Sequence, residues 1–336
     1  MRYGALGDMV ILTVLIRHLH ARFGQPVDIL ASGGWTRPLL EGQPGVGNLY
    51  VVASRKRPYW MSLGQQRLVR ELRDRGPSAT WLCDHENEKT RWLLARAGWQ
   101  PEHFCEVRDT QGVQGPHMCD LFLRFAYRSP GAIGVDSPVV ATDTYGQLQV
   151  TAAQRADLVR WLTGRRWQTS SFILIQPGNK RTMRRGSRQR SSNSKYWPER
   201  NWARVLQGLR ARHPDDILLL LGVPSEADLN DDILRLARVE RAYNVARDLP
   251  VPRLMALAER AQGMISVDTG PAHVMAAVGC PVVTLFGKAD PRMYAPRGPQ
   301  SRVICLTGVS EGEQSMLGIT PEEVLAAWNA QRSGGY

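Results

Sequence analysis

The residue types most able to do chemistry stand in one short segment, Asp268-Thr269-Gly270-Pro271-Ala272-His273. The apolar run Gly263 to Val267 before it reads as a short buried strand. Asp268 and Thr269 are helix-capping types, and Pro271 suits the first helical position. Gly279 and Pro281 stop the helix about two turns later. A helix that begins where a buried strand ends points its free N–H groups and the positive end of its dipole at one spot. That spot is a ready site for phosphate, and Thr269 and His273 can add side-chain donors. The same six residues also serve as a plain βα turn in which Asp268 and Thr269 do no more than cap the helix.

Two further constellations lie elsewhere. Arg2-Tyr3-Gly4-Ala5-Leu6-Gly7-Asp8 is a glycine-containing loop, followed by Val10, Ile11, Val14, Leu15 and Leu19 at helical spacing, with Gly24 as the stop. Asp8 sits at the helix start, either as a cap or as a general base that takes a proton from a hydroxyl nucleophile. The third constellation runs from Ile175-Gln176-Pro177-Gly178-Asn179-Lys180 to Lys195-Tyr196-Trp197-Pro198. Lys195 stands next to a helix that Pro198 opens, and is expected on a phosphate. Between these ends lies an insert with Arg181, Arg184, Arg185, Arg188 and Arg190 and no acid. It is either a solvated charge run or a clamp that orders on a polyanion or diphosphate.

These groups need a scaffold. With 336 residues, 43% of them hydrophobic, the chain has material for about two domains. Val27–Leu30, Leu49–Val52 and Thr80–Cys83 read as strands separated by helices such as 64–75. A helix about Ala156 to Leu162 and the polar stretch 165–171, expected as a linker, close the first half. Phe172–Ile175, Ile217–Leu221, Gly263–Val267 and Val282–Phe286 are strands of the second half, again alternating with helices. This pattern predicts two doubly wound α/β domains, 1–165 and 166–336, with the last helix free to pack back on the first. Ligands of such sheets bind at the carboxyl ends of the strands, so two facing sheets would hold a site in the cleft between them. Only Met1-Arg2-Tyr3 precedes the first loop, so the leading strand of the first βαβ unit is expected to be missing or very short.

Composition narrows the partners. Lys plus Arg is 43 against 31 for Asp plus Glu, a formal net charge of +12, which calls for an anionic partner. No apolar run reaches the length of a membrane span, and no signal peptide is evident, so a cytosolic protein is expected. Five cysteines without a C-x-x-C pair argue against a disulfide framework or a zinc site. Nucleic acid is not an expected partner, because helix-turn-helix, zinc-finger and aromatic–basic signatures are lacking. No G-x-G-x-x-G follows a strand, which disfavours a dinucleotide oxidoreductase.

The Gly7-Asp8 loop, the Lys195-Tyr196-Trp197-Pro198 turn, and Asp268 to His273 leading to Leu285-Phe286-Gly287 occur together and in order. In this the chain resembles glycosyltransferase family 9, the ADP-heptose:lipopolysaccharide heptosyltransferases, over nearly its whole length. The resemblance implies a GT-B fold, with acceptor on the first domain and nucleotide sugar on the second. It also implies inverting, metal-independent transfer of a heptose to the inner core of lipopolysaccharide, with no cofactor, and the chain has no Asp-x-Asp pair of the kind that holds a metal-bound diphosphate.

Carried over, Asp8 is the general base, with Gly7 beside it on the acceptor side. Lys195 and the segment Asp268, Thr269, Gly270, Pro271, Ala272 and His273 hold the leaving diphosphate. Glu226 matches the acidic contact to the nucleotide ribose, though it also suits the first turn of a helix. Arg55, Lys56 and Arg57 resemble the basic acceptor-side loop, and read equally as an exposed charge run. The implied partners are a nucleotide sugar, an acidic lipid-linked saccharide and an anionic membrane surface at the inner face of the inner membrane. A same-fold transferase of another nucleotide sugar, such as a UDP-sugar, and a non-catalytic polyanion-binding protein are the alternatives. The Arg-rich insert, the short N-terminus and the stretch 244–249, which has neither the Gly nor the Ser/Thr-Leu pair common in the family, set this chain apart.

Overall fold

The computed structural model describes residues 4–52, 58–84, 86–110, 117–134, 136–140, 143–179 and 193–333. The chain forms two compact units, Met1–Gly146 and Gln147–Tyr336.

In unit 1, α1 (Leu6–Phe23) is apolar at nearly every position from Met9 to Ile16 and is buried on all sides there, so it lies inside the unit rather than along its surface. Gly24 ends it, as expected. β1 (Val27–Ser32), α2 (Thr36–Leu40) and β2 (Val46–Val52) form a parallel crossover unit. After α3 (Leu63–Arg75) come β3 (Thr80–Leu82), α4 (Glu88–Arg96) and β4 (Phe104–Glu106), with β3 and β4 again parallel. β4 is only three residues long, too short to register as a periodic pattern in the sequence. α5 (Met118–Ala126) packs on α1. A cavity of about 370 Å³ is lined by α1, β1 and β3, with Leu15, Leu19, Ile29 and Trp81 among its walls. Among the described residues no strand joins the two parallel pairs. Met1–Tyr3, on which the expectation of a missing first strand turns, lie outside the described residues.

Unit 2 opens with α6 (Ala152–Thr163) and continues with β5 (Phe172–Gln176), α7 (Glu199–Arg212), β6 (Ile217–Leu220), α8 (Ala227–Ala237), β7 (Ala242–Asn244) and α9 (Val251–Ala258). β8 (Ala261–Val267), α10 (Gly270–Val278), β9 (Val282–Phe286), α11 (Pro291–Tyr294) and β10 (Val303–Thr307) follow. A small hairpin, β11 (Val309–Ser310) and β12 (Glu313–Gln314), precedes α12 (Pro321–Ser333). Six strands make one parallel sheet in the order β10-β9-β8-β5-β6-β7. β5, β6 and β9 are buried at every position, the mark of parallel strands covered on both faces. Alternate residues Ile173, Ile175, Leu218 and Leu220 join Trp202 and Trp328 in the core under α7, α8 and α12. The strand order reverses between β5 and β8, and that crevice is where doubly wound sheets take ligands.

The polar stretch 165–171 is not a free linker. Asp248 accepts from Trp161 Nε1 at 2.6 Å and pairs with Arg165, while Trp167 lies between Trp161, which it meets edge-on, and the tilted ring of Tyr243. α6, which the expected boundary at 165 puts with the first half, packs on α9 in unit 2. The Arg155 guanidinium grips Glu259 through two 2.7 Å bonds, and Arg253 Nε reaches Asp157 at 2.9 Å. α12 packs on α7, β9 and β10 of its own unit, since Trp328 is fully buried there and donates to His213 at 3.2 Å.

Candidate active site

Three strand ends of unit 2 supply the site. β8 runs into Asp268, whose N–H donates to the Leu285 carbonyl at 2.9 Å and so ties it to β9. Thr269 is the N-cap of α10 and Pro271 lies in its first turn, with Gly279 closing the helix. Thr269 makes no side-chain cap bond; its hydroxyl lies 3.2 Å from that of Ser266. The plain-cap reading of this turn is therefore not what the geometry has, and Pro271 brings no N–H of its own. Gly270 and Ala272 present theirs at the positive end of the helix. His273 is buried one turn in.

Lys195 comes across from the short turn 193–195 that precedes α7. Its backbone is held by Asn193 and Asn179, with Lys195 N–H donating to Asn193 Oδ1 at 3.1 Å and Asn193 Nδ2 donating to Asn179 Oδ1 at 3.3 Å. Lys195 Nζ reaches Asp268 Oδ2 at 2.5 Å and donates to the Asp268 carbonyl at 2.9 Å. The approach depends on Gly287, where a Cβ would fall 1.9 Å from the Ser194 carbonyl oxygen. That clash gives the Leu285-Phe286-Gly287 motif its physical reason.

Glu226 ends the 3-10 turn Pro224–Glu226 after β6 and starts α8. It is 3% exposed, and its Oε2 accepts from the Val223 N–H at 2.9 Å and from Gln176 Nε2 at 3.3 Å. Gly222 lets the carboxylate in, since a Cβ there would stand 2.8 Å from Oε2. Burial pushes the Glu226 carboxyl above the usual range, against the downward pull of its two hydrogen bonds. Gln176, at the end of β5, is equally buried, and its Oε1 has no hydrogen-bond partner among the described residues. From the sequence, Gln176 reads only as part of the loop Ile175 to Lys180. The signal available was one polar residue closing a run of apolar ones at a strand end.

Glu226 carries a pH consequence. Its folded-state affinity for a proton exceeds that of the unfolded chain, so the folded state binds more protons in the window from the ordinary carboxyl range up to the raised value. Stability therefore falls as pH rises through that window. Glu226→Gln keeps an acceptor for Val223 and Gln176 but cannot ionise. Its melting temperature should fall less between acid and neutral pH than that of the parent, as read by paired thermal melts. Parallel curves would overturn the assignment.

Asp8 belongs to unit 1. It lies in the first turn of α1, half-buried, and its Oδ2 accepts from the Ala5 N–H at 2.7 Å. Gly7 is buried beside it. Arg55, Lys56 and Arg57 and the insert residues Arg181, Arg184, Arg185, Arg188 and Arg190 lie outside the described residues. Among those described, no cluster of His, Cys, Asp and Glu is arranged to hold a metal, and no helix is long and apolar enough to cross a membrane.

The chain is similar in sequence and fold to known proteins. The chain is 24% identical to lipopolysaccharide heptosyltransferase 2 of Escherichia coli over 97% of its own length and 95% of that protein's. Over a shorter stretch, 34% of each chain, it is 33% identical to lipopolysaccharide heptosyltransferase 1 of Salmonella typhimurium. Among solved structures, the E. coli ADP-heptose lipopolysaccharide heptosyltransferase II superposes with a TM-score of 0.73 at 21% identity, covering 98% of this chain and 96% of the other. A family 9 glycosyltransferase from Veillonella parvula reaches 0.79 at 17% identity, over 99% and 96%. These likenesses, with the six-stranded parallel sheet, bear out the expected α/β fold of GT-B type. The sequence model of glycosyltransferase family 9 (heptosyltransferase) matches residues 141–318, which span the whole strand-end cluster from Gln176 to Gly287. The chain belongs to that family and is a glycosyltransferase.

Proposed function

We propose that this protein moves a heptose from ADP-heptose to the inner core of lipopolysaccharide, by one inverting displacement and without a metal ion. The acceptor hydroxyl oxygen forms a bond to the anomeric carbon as the bond from that carbon to the diphosphate oxygen breaks. The hydroxyl proton passes to the Asp8 carboxylate, and ADP leaves. Lys195 and the N–H groups at the start of α10 take up the charge that grows on the diphosphate, as preorganised donors do. Glu226 accepts from the ribose hydroxyls, and Gln176 orients it and offers its own Oε1. Arg55, Lys56 and Arg57 meet the acidic groups of the acceptor. The Arg-rich insert from Arg181 to Arg190 clamps the donor. The enzyme works at the cytoplasmic face of the inner membrane.

The observation that carries this reading is the cluster at the switch point of unit 2. There a lysine, an uncapped helix start and a buried carboxylate with a half-satisfied amide converge at the carboxyl ends of β5, β6 and β8. The relatives add support, since one solved E. coli heptosyltransferase holds ADP.

Thermal melting against ADP, UDP and GDP tests the donor. A ligand at a hundredfold excess over its Kd stabilises the folded state by about 2.7 kcal/mol, so ADP should raise the melting temperature well above the other two. A larger response to UDP would reassign the nucleotide. No response to any of them, with binding to arbitrary DNA that collapses as salt rises, would favour a polyanion binder.

A further inference from the structure

Away from the donor site, unit 1 carries a projecting apolar turn at the entry to α3. Trp60, Met61 and Leu63 are 76%, 58% and 70% exposed, three large apolar side chains within four residues. Scattered exposed apolar residues are ordinary; a contiguous group marks an interaction surface. The turn is held in this shape. Tyr59–Met61 form one 3-10 turn, and Gln66 Nε2 donates to the Tyr59 and Trp60 carbonyls at 3.1 and 3.2 Å. Ser62 caps α3, its hydroxyl accepting from the Gln65 N–H at 3.3 Å. Beneath the turn, Tyr59 meets Trp92 edge-on at 5.5 Å, and the Arg96 guanidinium lies over both rings, 3.8 Å from the Trp92 centroid and 4.7 Å from that of Tyr59. The turn is thus anchored through Tyr59 and Gln66, while Trp60, Met61 and Leu63 project from it largely exposed.

The flank of this turn is basic. Leu63, Arg67 and Arg70 fall on one face of α3 at i, i+4 and i+7, and all three are exposed; the acids of that face, Glu71 and Asp74, follow farther from the turn, so the cations are the charges nearest Leu63. Arg96 is exposed beside them. A second copy of the chain would set these cations against their own kind, and with a net charge of +12 the whole chain repels itself. Trp, Met and Leu at a tip with Arg behind them suit instead a surface that is apolar within and anionic outside.

We propose that the turn Tyr59–Leu63 seats the protein on an anionic lipid bilayer, with Trp60, Met61 and Leu63 entering the headgroup–acyl boundary and Arg67, Arg70 and Arg96 facing lipid phosphates. It rests on the proposed lipid-linked acceptor, which a membrane-seated unit 1 would meet in the plane of the bilayer.

The test is sedimentation of the full chain with vesicles of phosphatidylglycerol and phosphatidylcholine. The triple variant Trp60→Ser, Met61→Ser, Leu63→Ser removes only exposed side chains, so its fold and its ADP-induced thermal shift should match the parent. Its partition onto the vesicles should fall by about thirtyfold or more. The pair Arg67→Glu, Arg70→Glu should lose about tenfold or more, and the parent's binding should weaken with added salt. Equal partition of parent and triple variant, or no binding of the parent above that to phosphatidylcholine alone, would overturn the seat. Heptosyl transfer to an acyl-free soluble acceptor separates the two proposals. The triple variant should turn it over at the parent rate, and a parent that binds vesicles yet transfers nothing would sink the enzyme assignment while leaving the seat standing.

Discussion

Asp8→Asn should lower heptosyl transfer about 10²–10⁴-fold, the usual worth of a positioned general base, while ADP-heptose binds as before. The substitution isolates the proton-accepting role. Asp8 also holds the first turn of α1 by accepting from the Ala5 N–H at 2.7 Å, and the Asn carboxamide oxygen can keep that bond. Asn also removes a negative charge near the positive end of the helix, worth about 0.3–1 kcal/mol. Asp8→Ala loses the bond too, and should cost about 1 kcal/mol of stability more. Steady-state kinetics and thermal melts on both variants separate the two roles. If the Asn variant transfers at the parent rate, the proton goes elsewhere and Asp8 is a helix-start residue alone.

The second large effect is expected at Lys195. Its ammonium holds Asp268 Oδ2 at 2.5 Å, with the two side chains 29% and 9% exposed. Removing it does two things to an incoming diphosphate. A cation disappears, and the Asp268 carboxylate is left uncovered next to the proposed phosphate position, where like charge repels. Lys195→Ala should therefore weaken ADP binding about a hundredfold. Folding stability should fall as well, by less than the about 3–5 kcal/mol of a fully buried broken pair, because the lysine is part-exposed and screened. The double variant Lys195→Ala, Asp268→Asn should recover part of the lost affinity, and the coupling read by calorimetry should exceed about 1 kcal/mol. Additive single effects would mean that the two residues do not share one site.

Several elements of this protein could be read directly from residue order. α10 is so, because its N-terminal Thr269, its proline and its closing glycine all fall within a dozen residues and mark the helix ends by residue type. The strands β5, β6, β8 and β9 were so because covered parallel strands are near-continuous apolar runs. Those same local signals missed β4 and β7, three residues each, and the edge strand β10 with the hairpin after it. They also misread 165–171, whose polar composition hides a packed corner made by Arg165, Trp167 and a distant Asp248.

Residue types alone carried the motif set, the α/β class and the family resemblance, because helix caps, strand runs and short motifs are properties of neighbouring residues. They did not reach the contacts that make a site of them. Lys195 and Asp268 are 73 positions apart and Gln176 and Glu226 are 50. Each pair meets because the parallel order sets the carboxyl ends of β5, β6 and β8 side by side. The Gly287 approach, the buried carboxyl of Glu226 and the Gln176 Oε1 left unpartnered among the described residues follow from that convergence. Desolvation and hydrogen-bond satisfaction depend on what the folded chain brings around a group, and that is set by strand order across the sheet, a long-range property that no local spacing records.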